Sequence, residues 1–226
     1  MEIIWHRASR ISDWSTAKEY GWGIEVDLRT HNGRVYISHD PIEKEESLEF
    51  LPSFAMLYDF TTENRFRTYA NKWSNTVVLD CKESGIIERT HDIWRYGYYA
   101  FTGLSVPDEI YAISCGYRTL TRTSRFENLD LCVDCMPQYQ NVSSNEYWVD
   151  YVFHPSDLEK YEEIASRSFV VSPELHKNQK RAGHWAVQRN QHEKACELTD
   201  EFIQAVYDMG FKGVCTDEPM RYANSA

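Results

Sequence analysis

The stretch Gly23-Ile24-Glu25-Val26-Asp27-Leu28-Arg29 reads as a β-strand, yet it carries two carboxylates among apolar neighbours. Alternate side chains of a strand share a face, so Glu25 and Asp27 point the same way, roughly 7 Å apart. They can be solvent-facing strand residues. In a parallel strand both faces are buried, and an unpaired carboxylate there is costly. A cation bridging the two resolves that cost. A donor set made only of oxygen favours Mg2+, Ca2+ or Mn2+ over zinc, which more usually recruits His or Cys.

Around this strand, short β-rich runs alternate with helical ones, the pattern of a parallel (β/α)8 TIM barrel in the α/β class. Strands are expected over residues 2–7, 23–29, 77–82 and 213–216, with middle candidates at 98–102, 118–121, 129–133, 147–152 and 169–172. That is one candidate more than eight strands require. Helices are expected over 12–20 with Ser12 as cap, and over 47–73, 86–96, 157–166 and 198–209. Asn32-Gly33 signals a tight hairpin returning the chain through 34–38. At 226 residues the chain is near the lower end for such a barrel, for which about 250 is typical, so a compact single domain over 1–226 is the economical reading.

Three further stretches complete a chemical set: Trp5-His6-Arg7, Ser38-His39-Asp40-Pro41 and Val77-Val78-Leu79-Asp80-Cys81-Lys82. Asp80 and Lys82 share a strand face. A third carboxylate completes a metal shell, and the lysine beside it supplies a fixed positive charge for a phosphoryl oxygen. Asp80 can also simply pair with Lys82. His6 and His39 are candidates for general acid and base, with Arg7 as a phosphate clamp, although a histidine taken singly is more often structural. His6, Asp27, Lys82 and Asp217 fall at C-terminal strand ends, the face where such barrels carry their chemistry. His39 is the awkward member. A two-residue turn at 32–33 pairs Asp27 with Ser38, and strict alternation then turns His39 away from the carboxylates unless the chain bends at Asp40-Pro41.

In their order, His-Arg, Glu-x-Asp, His-Asp and Asp-x-Lys resemble the glycerophosphodiester phosphodiesterase family. That superfamily includes phosphatidylinositol-specific phospholipase C and the venom sphingomyelinase D enzymes. Gly213-Val214-Cys215-Thr216-Asp217-Glu218-Pro219 looks like the family's closing Gly-x-x-Thr-Asp-x-Pro. The chain departs from the pattern in three ways. Ala8 replaces the glycine of His-Arg-Gly, no Pro-Glu-Asn-Thr segment follows, and Asp80 stands where many members carry glutamate. The short linker and Asp-x-Lys are closer to the venom branch. The resemblance implies His6 and His39 as catalytic residues, Arg7 and Lys82 on the phosphate, and Glu25, Asp27 and Asp80 on one divalent cation, Mg2+ or Ca2+ with Mn2+ as an option. It also implies a phosphodiester substrate, whose own neighbouring hydroxyl can be the attacking group. Metal-independent phospholipase C chemistry and a binding module of the same fold are the rival classes.

Composition narrows the partners. A net charge of −11 opposes nucleic acid and anionic membranes, leaving a small-molecule phosphodiester as the expected partner, with the oligomeric state unread. No apolar run approaches the roughly 20 residues of a membrane span. The start of the sequence lacks the features of a signal peptide, so a cytoplasmic location and reduced thiols are expected for the six cysteines. Cys132-Val133-Asp134-Cys135 lacks a second pair and is not read as a zinc site. The basic stretch 176–189 reads as a solvated helix face or a loop that attracts phosphate, and Trp185 within it is a candidate ring for a choline-like cation.

Overall fold

A computed structural model describes residues 1–8, 11–31, 34–41, 76–88, 99–125, 146–177 and 196–225. Its strands are β1 (Glu2–Trp5), β2 (Gly23–His31), β3 (Arg34–Ile37), β4 (Val77–Cys81), β5 (Tyr99–Thr102), β6 (Arg118–Arg122), β7 (Glu146–Val149), β8 (Ser168–Val171) and β9 (Gly213–Thr216). They follow the hydrogen-bonded order β1-β9-β8-β7-β6-β5-β4-β2-β3, and β1 also pairs with β2. Eight strands therefore succeed one another in a cycle, with β3 appended to β2. This is the strand order of a (β/α)8 barrel. The cycle is complete without residues 129–133, which lie outside the described residues.

By their internal contacts the residues form two compact units, one of Ile4–Thr121 and one of Met1–Ile3 with Arg122–Ala226. In the first, β2 pairs in parallel with β1 and β4, and β4 with β5. Gly23 through Leu28 are all buried, as a strand flanked on both sides requires. β2 then outruns its parallel neighbour. Its pairing with β4 ends at Leu28↔Cys81, whereas Leu28 to His31 pair antiparallel with β3 in the register Leu28↔Ile37 to His31↔Arg34. That register continues to Ser38, whose amide donates to the Asp27 carbonyl at 3.0 Å, as the hairpin reading requires. The turn residues 32–33 lie outside the described residues.

Helix α1 (Ile11–Tyr20) begins one residue before the expected cap, so Ser12 lies inside it. Helix α2 (Val106–Ser114) starts conventionally: Ser105 Oγ accepts from the Asp108 amide, and Pro107 sits in the first turn, where a missing N–H costs nothing. Residues 86–88 are helical. The remainder of 86–96 and the stretch 47–73 lie outside the described residues.

The second unit packs its core from Val149, Val170, Val214, Phe202, Val206 and Tyr222, among others. Phe202, Ile203 and Val206 come from one face of α4 (Asp200–Asp208). Thr199 Oγ1 caps that helix by accepting from the Phe202 amide at 3.2 Å. The helix expected over 157–166 is instead one turn, α3 (Pro155–Leu158), followed by a 3-10 segment (Glu159–Arg167). Asp157 accepts from the Phe153 and His154 amides, which ties the start of that turn back onto its approach. Helix α5 (Pro219–Ala223) ends the described fold. Among the described residues no helix is long and apolar enough to cross a membrane, and Cys81 is buried with its thiol directed at the Leu79 carbonyl.

Candidate active site

Register decides the site before any side chain is placed. β2 and β4 align Asp27 with Asp80 and Glu25 with Val78, so Glu25, Asp27 and Asp80 share one face near the C-terminal ends of adjacent parallel strands. All three are buried. One carboxylate oxygen from each lies within 4.8 Å of the others, an arrangement that can hold a metal ion. Lys82 directly follows β4, and its amide donates to the Leu28 carbonyl at 3.0 Å. Its ammonium stands 2.5 Å from Asp80 Oδ2 and 2.7 Å from Asp27 Oδ1. Both aspartates therefore lean on one ammonium, which also faces Glu25.

Three carboxylates facing so few cations repel one another. Burial, followed by the charge of Asp27, pushes Glu25 up to about 7; Asp80 adds to the rise, while His6 and Lys82 oppose it. Burial alone would lower the Lys82 pKa, but Asp80, Asp27 and Glu25 outweigh it and hold the ammonium above its ordinary value. The site is thus short of positive charge. Buried oxygen donors close to one another and their mutual repulsion together fit a hard divalent cation.

His6 and Arg7 occupy the turn immediately after β1. Arg7 adopts a left-handed backbone with φ of 49°, a conformation costing on the order of 1 kcal/mol or more outside glycine. That bend lets the Arg7 amide donate to Glu25 Oε2 at 2.8 Å and the Ala8 amide to the Glu25 carbonyl at 3.0 Å. One oxygen of Glu25 is thereby fixed. Arg7, not residue 8, takes the left-handed bend, so Ala8 meets no backbone need for glycine and is itself buried. The Arg7 side chain is half exposed, with Nε 3.5 Å from Asp27 Oδ2. His6 is half-buried and close enough to Glu25 to stabilise its charge.

His39 is held differently. The chain bends at 39–40 directly after β3, and His39 is exposed, its Nδ1 2.8 Å from Asp40 Oδ1. That hydrogen bond is the leading cause lowering the Asp40 pKa; Arg7 adds to the effect, so the turn lies within electrostatic reach of the Arg7 guanidinium. The structure therefore gathers His6, Arg7, Glu25, Asp27, Asp80 and Lys82, and sets His39 on a turn beside them.

Two contributors escaped sequence reading. Gly103, just past β5, has φ of +72°; a side chain there would overlap Asp80 Oδ1 and stand 2.7 Å from the Cys81 carbonyl. Only glycine lets this loop pass over the acidic cluster, and a lone glycine after the strand expected at 98–102 was the available signal. Trp14 of α1 donates its indole N–H to the Ala8 carbonyl at 2.5 Å, pinning the turn that carries His6 and Arg7. Nothing in the sequence marks that contact.

Elsewhere, His176 is buried, accepts from the Tyr151 amide at 3.1 Å, and stacks on the Tyr151 ring, the structural role a lone histidine usually has. Asp217 follows β9 with its amide on Glu174. Trp185, most of the basic stretch and Cys132–Cys135 lie outside the described residues.

No family model matches the chain, and no curated protein matches it. Among solved structures it is similar to a glycerophosphodiester phosphodiesterase from Parabacteroides distasonis at 17% identity, over 99% of this chain and 95% of that one, with a TM-score of 0.44.

Proposed function

We propose that this chain is a metal-dependent phosphodiesterase acting on a glycerophosphodiester or phospholipid-type phosphodiester. The observation that carries the reading is the buried trio Glu25, Asp27 and Asp80, whose donor oxygens lie within 4.8 Å of one another and whose crowding pushes Glu25 up to about 7. The trio would hold one divalent cation, Mg2+ or Ca2+, with Mn2+ also suited to the donors. When bound, the cation neutralises charge developing on a phosphoryl oxygen.

The remaining chemistry belongs to the chain. Arg7 and Lys82 bind the other phosphoryl oxygens and stabilise the charge of the transition state. His6 and His39 divide the proton work, one taking the proton of the attacking hydroxyl and the other returning one to the leaving alcohol. The bond from Nδ1 to Asp40 leaves Nε2 of His39 for that exchange. The acidic chain, with a net charge of −11, favours a compact substrate over a polyanion.

A second reading draws on the Lys82 ammonium between Asp80 and Asp27: in metal-independent phospholipase C-type chemistry that ammonium would be the fixed cation. Turnover of glycerophosphocholine, lysophosphatidylcholine and a dinucleotide, before and after exhaustive chelation, separates the two. Under the first reading chelation abolishes activity, Mg2+, Mn2+ or Ca2+ restores it, and the dinucleotide is the poorest substrate. Full activity after chelation selects the second.

A further inference from the structure

We propose that Arg29 is the positioning residue for His39, its guanidinium anchored on Glu83 and fixing the turn from which His39 exchanges a proton. This rests on the reading of His39 as a proton carrier. β2 leaves its parallel neighbour after Leu28 and continues as one arm of a hairpin, so Arg29 stands where the barrel strand becomes a projecting loop. A residue at such a place is usually a solvated charge. Arg29 is only 18% exposed, and its guanidinium is engaged in two directions.

Nε of Arg29 donates to the His39 carbonyl at 2.8 Å, and Nη1 reaches Glu83 Oε1 at 3.3 Å. Glu83 is itself fixed, its Oε2 accepting from the Thr30 amide at 3.1 Å and the Thr30 hydroxyl at 2.5 Å. Burial works to raise the Glu83 pKa, but Thr30 and Arg29 outweigh it, and the carboxyl lies below its usual range. Glu83 directly follows Lys82. One planar fork therefore ties the loop that carries Lys82 to the turn that carries His39, and a lysine, being a point charge, cannot span both partners in this geometry.

The two restraints on His39 are complementary. Arg29 holds its backbone in place, and Asp40 on Nδ1 fixes the ring and its tautomer, since an ionised carboxylate only accepts. An exposed hairpin turn otherwise has no packing to hold a side chain to the tolerance catalysis needs, and a displacement of about 1 Å can cost about 10²-fold in rate. Glu83 keeps both hydrogen bonds to Thr30 when Arg29 is replaced, which limits the loss of stability. A rate effect much larger than the stability effect is the mark of positioning.

The test compares Arg29→Met, Arg29→Lys, His39→Ala and the Arg29→Met/His39→Ala double variant on glycerophosphocholine with saturating Mg2+, alongside ring nitrogen chemical shifts of His39 by NMR. Arg29→Met is expected to lower kcat about 10- to 100-fold with KM little changed and Tm within about 4 °C of the parent. Arg29→Lys should recover only part of that loss. In the His39→Ala background Arg29→Met should cost nothing further, since a residue acting through another has no effect once the other is gone. In Arg29→Met with His39 present, the released turn loosens the bond from Nδ1 to Asp40, so the His39 ring nitrogens should move from a fixed Nδ1-protonated form toward averaged values. A further loss of tenfold or so in the double variant, or unchanged ring shifts in Arg29→Met, overturns the proposal. If His39→Ala alone keeps the parental rate, the proton-carrier reading fails instead, and the ring shifts still decide what Arg29 does.

Discussion

Both compact units bury carboxylates, and the company those carboxylates keep is different. In the unit that contains β7 to β9, the half-buried Glu174 accepts from Ser172 Oγ at 2.5 Å, Thr216 Oγ1 at 2.6 Å and the Asp217 amide at 3.2 Å. Asp150 accepts from the amide and hydroxyl of Ser124 and faces Arg122 at 3.5 Å. Each has donors on both oxygens that hold its pKa down, although burial outweighs them and leaves it raised. In the unit that contains β2 and β4, three carboxylates crowd one face, and two of them share the Lys82 ammonium. Burial alone does not distinguish structure from chemistry. A carboxylate with donors on both oxygens has most of its burial cost offset within the fold, whereas a crowded and under-neutralised group carries a cost that a ligand can offset.

Charge removal is the strongest way to break this comparison. Asp27→Asn and Asp80→Asn should each lower kcat/KM about 10³-fold or more, which is about 4 kcal/mol of transition-state stabilisation. Their metal-free Tm should match or exceed the parental value, because a like charge is lost from a crowded set. Activity assays paired with thermal melts in chelator test both halves. A Tm drop as large as that expected for a satisfied carboxylate would return the trio to a structural role.

The sequence made this cluster legible because the signal is local. Alternation puts Glu25 with Asp27 and Asp80 with Lys82, and the strand order needs only the β/α rhythm; the register that sets Asp27 opposite Asp80 belongs to the pairing of two strands of unequal length and was not readable from either. The hairpin register was legible locally, through the turn signal and the return to Ser38. What escaped is non-local. Gly103 meets Asp80 across strands, Trp14 reaches back six residues to Ala8, and Glu83 meets Thr30 from 53 residues away. Such contacts depend on the packed fold and leave no periodic trace. The 3-10 segment after Leu158 was missed because its helical pattern does not record which hydrogen-bond spacing the chain adopts.

Acidity sharpens the contrast next. Glu25 is pushed up to about 7 from 4.5, so at intermediate pH the folded chain holds a proton that the unfolded chain has released. The stability this supplies is complete below about 4.5 and is lost as pH rises through about 7. The span is worth at most about 3 kcal/mol. Melts in chelator should therefore fall from pH 5 to pH 8, Glu25→Gln should flatten that dependence, and added Mg2+ should oppose it by favouring the ionised carboxylate. A parental profile that is already flat would mean that the crowding does not hold a proton on Glu25.

A glycine pair offers a smaller and more local comparison. Gly103 and Gly210 share a left-handed backbone, at φ of +72° and +70°, but a side chain at 103 meets Asp80 and the Cys81 carbonyl while one at 210 meets nothing within 4 Å. Gly210→Ala should cost about 1 kcal/mol, the backbone penalty alone. Gly103→Ala should cost about 2 kcal/mol or more and also weaken Mg2+ binding, measured by calorimetry, because Asp80 must move. Equal effects on metal affinity would place Gly103 outside the site.

The smallest effect is expected at a satisfied carboxylate. Glu174→Gln keeps one carbonyl oxygen for Thr216 and the Asp217 amide, while its new NH2 donates to the Ser172 hydroxyl, which itself contacts Tyr222 at 2.9 Å. Most of the hydrogen bonds survive the loss of charge, so Tm should fall by an amount equivalent to about 1 kcal/mol. Mg2+ affinity should stay at the parental value, since Glu174 is fully engaged by its own neighbours. The same isosteric change, Asp to Asn or Glu to Gln, thus lowers stability in one unit and relieves repulsion in the other. Measured side by side in chelator, a Glu174→Gln melt at or above the parental Tm would erase the difference in company that separates the two sets of carboxylates.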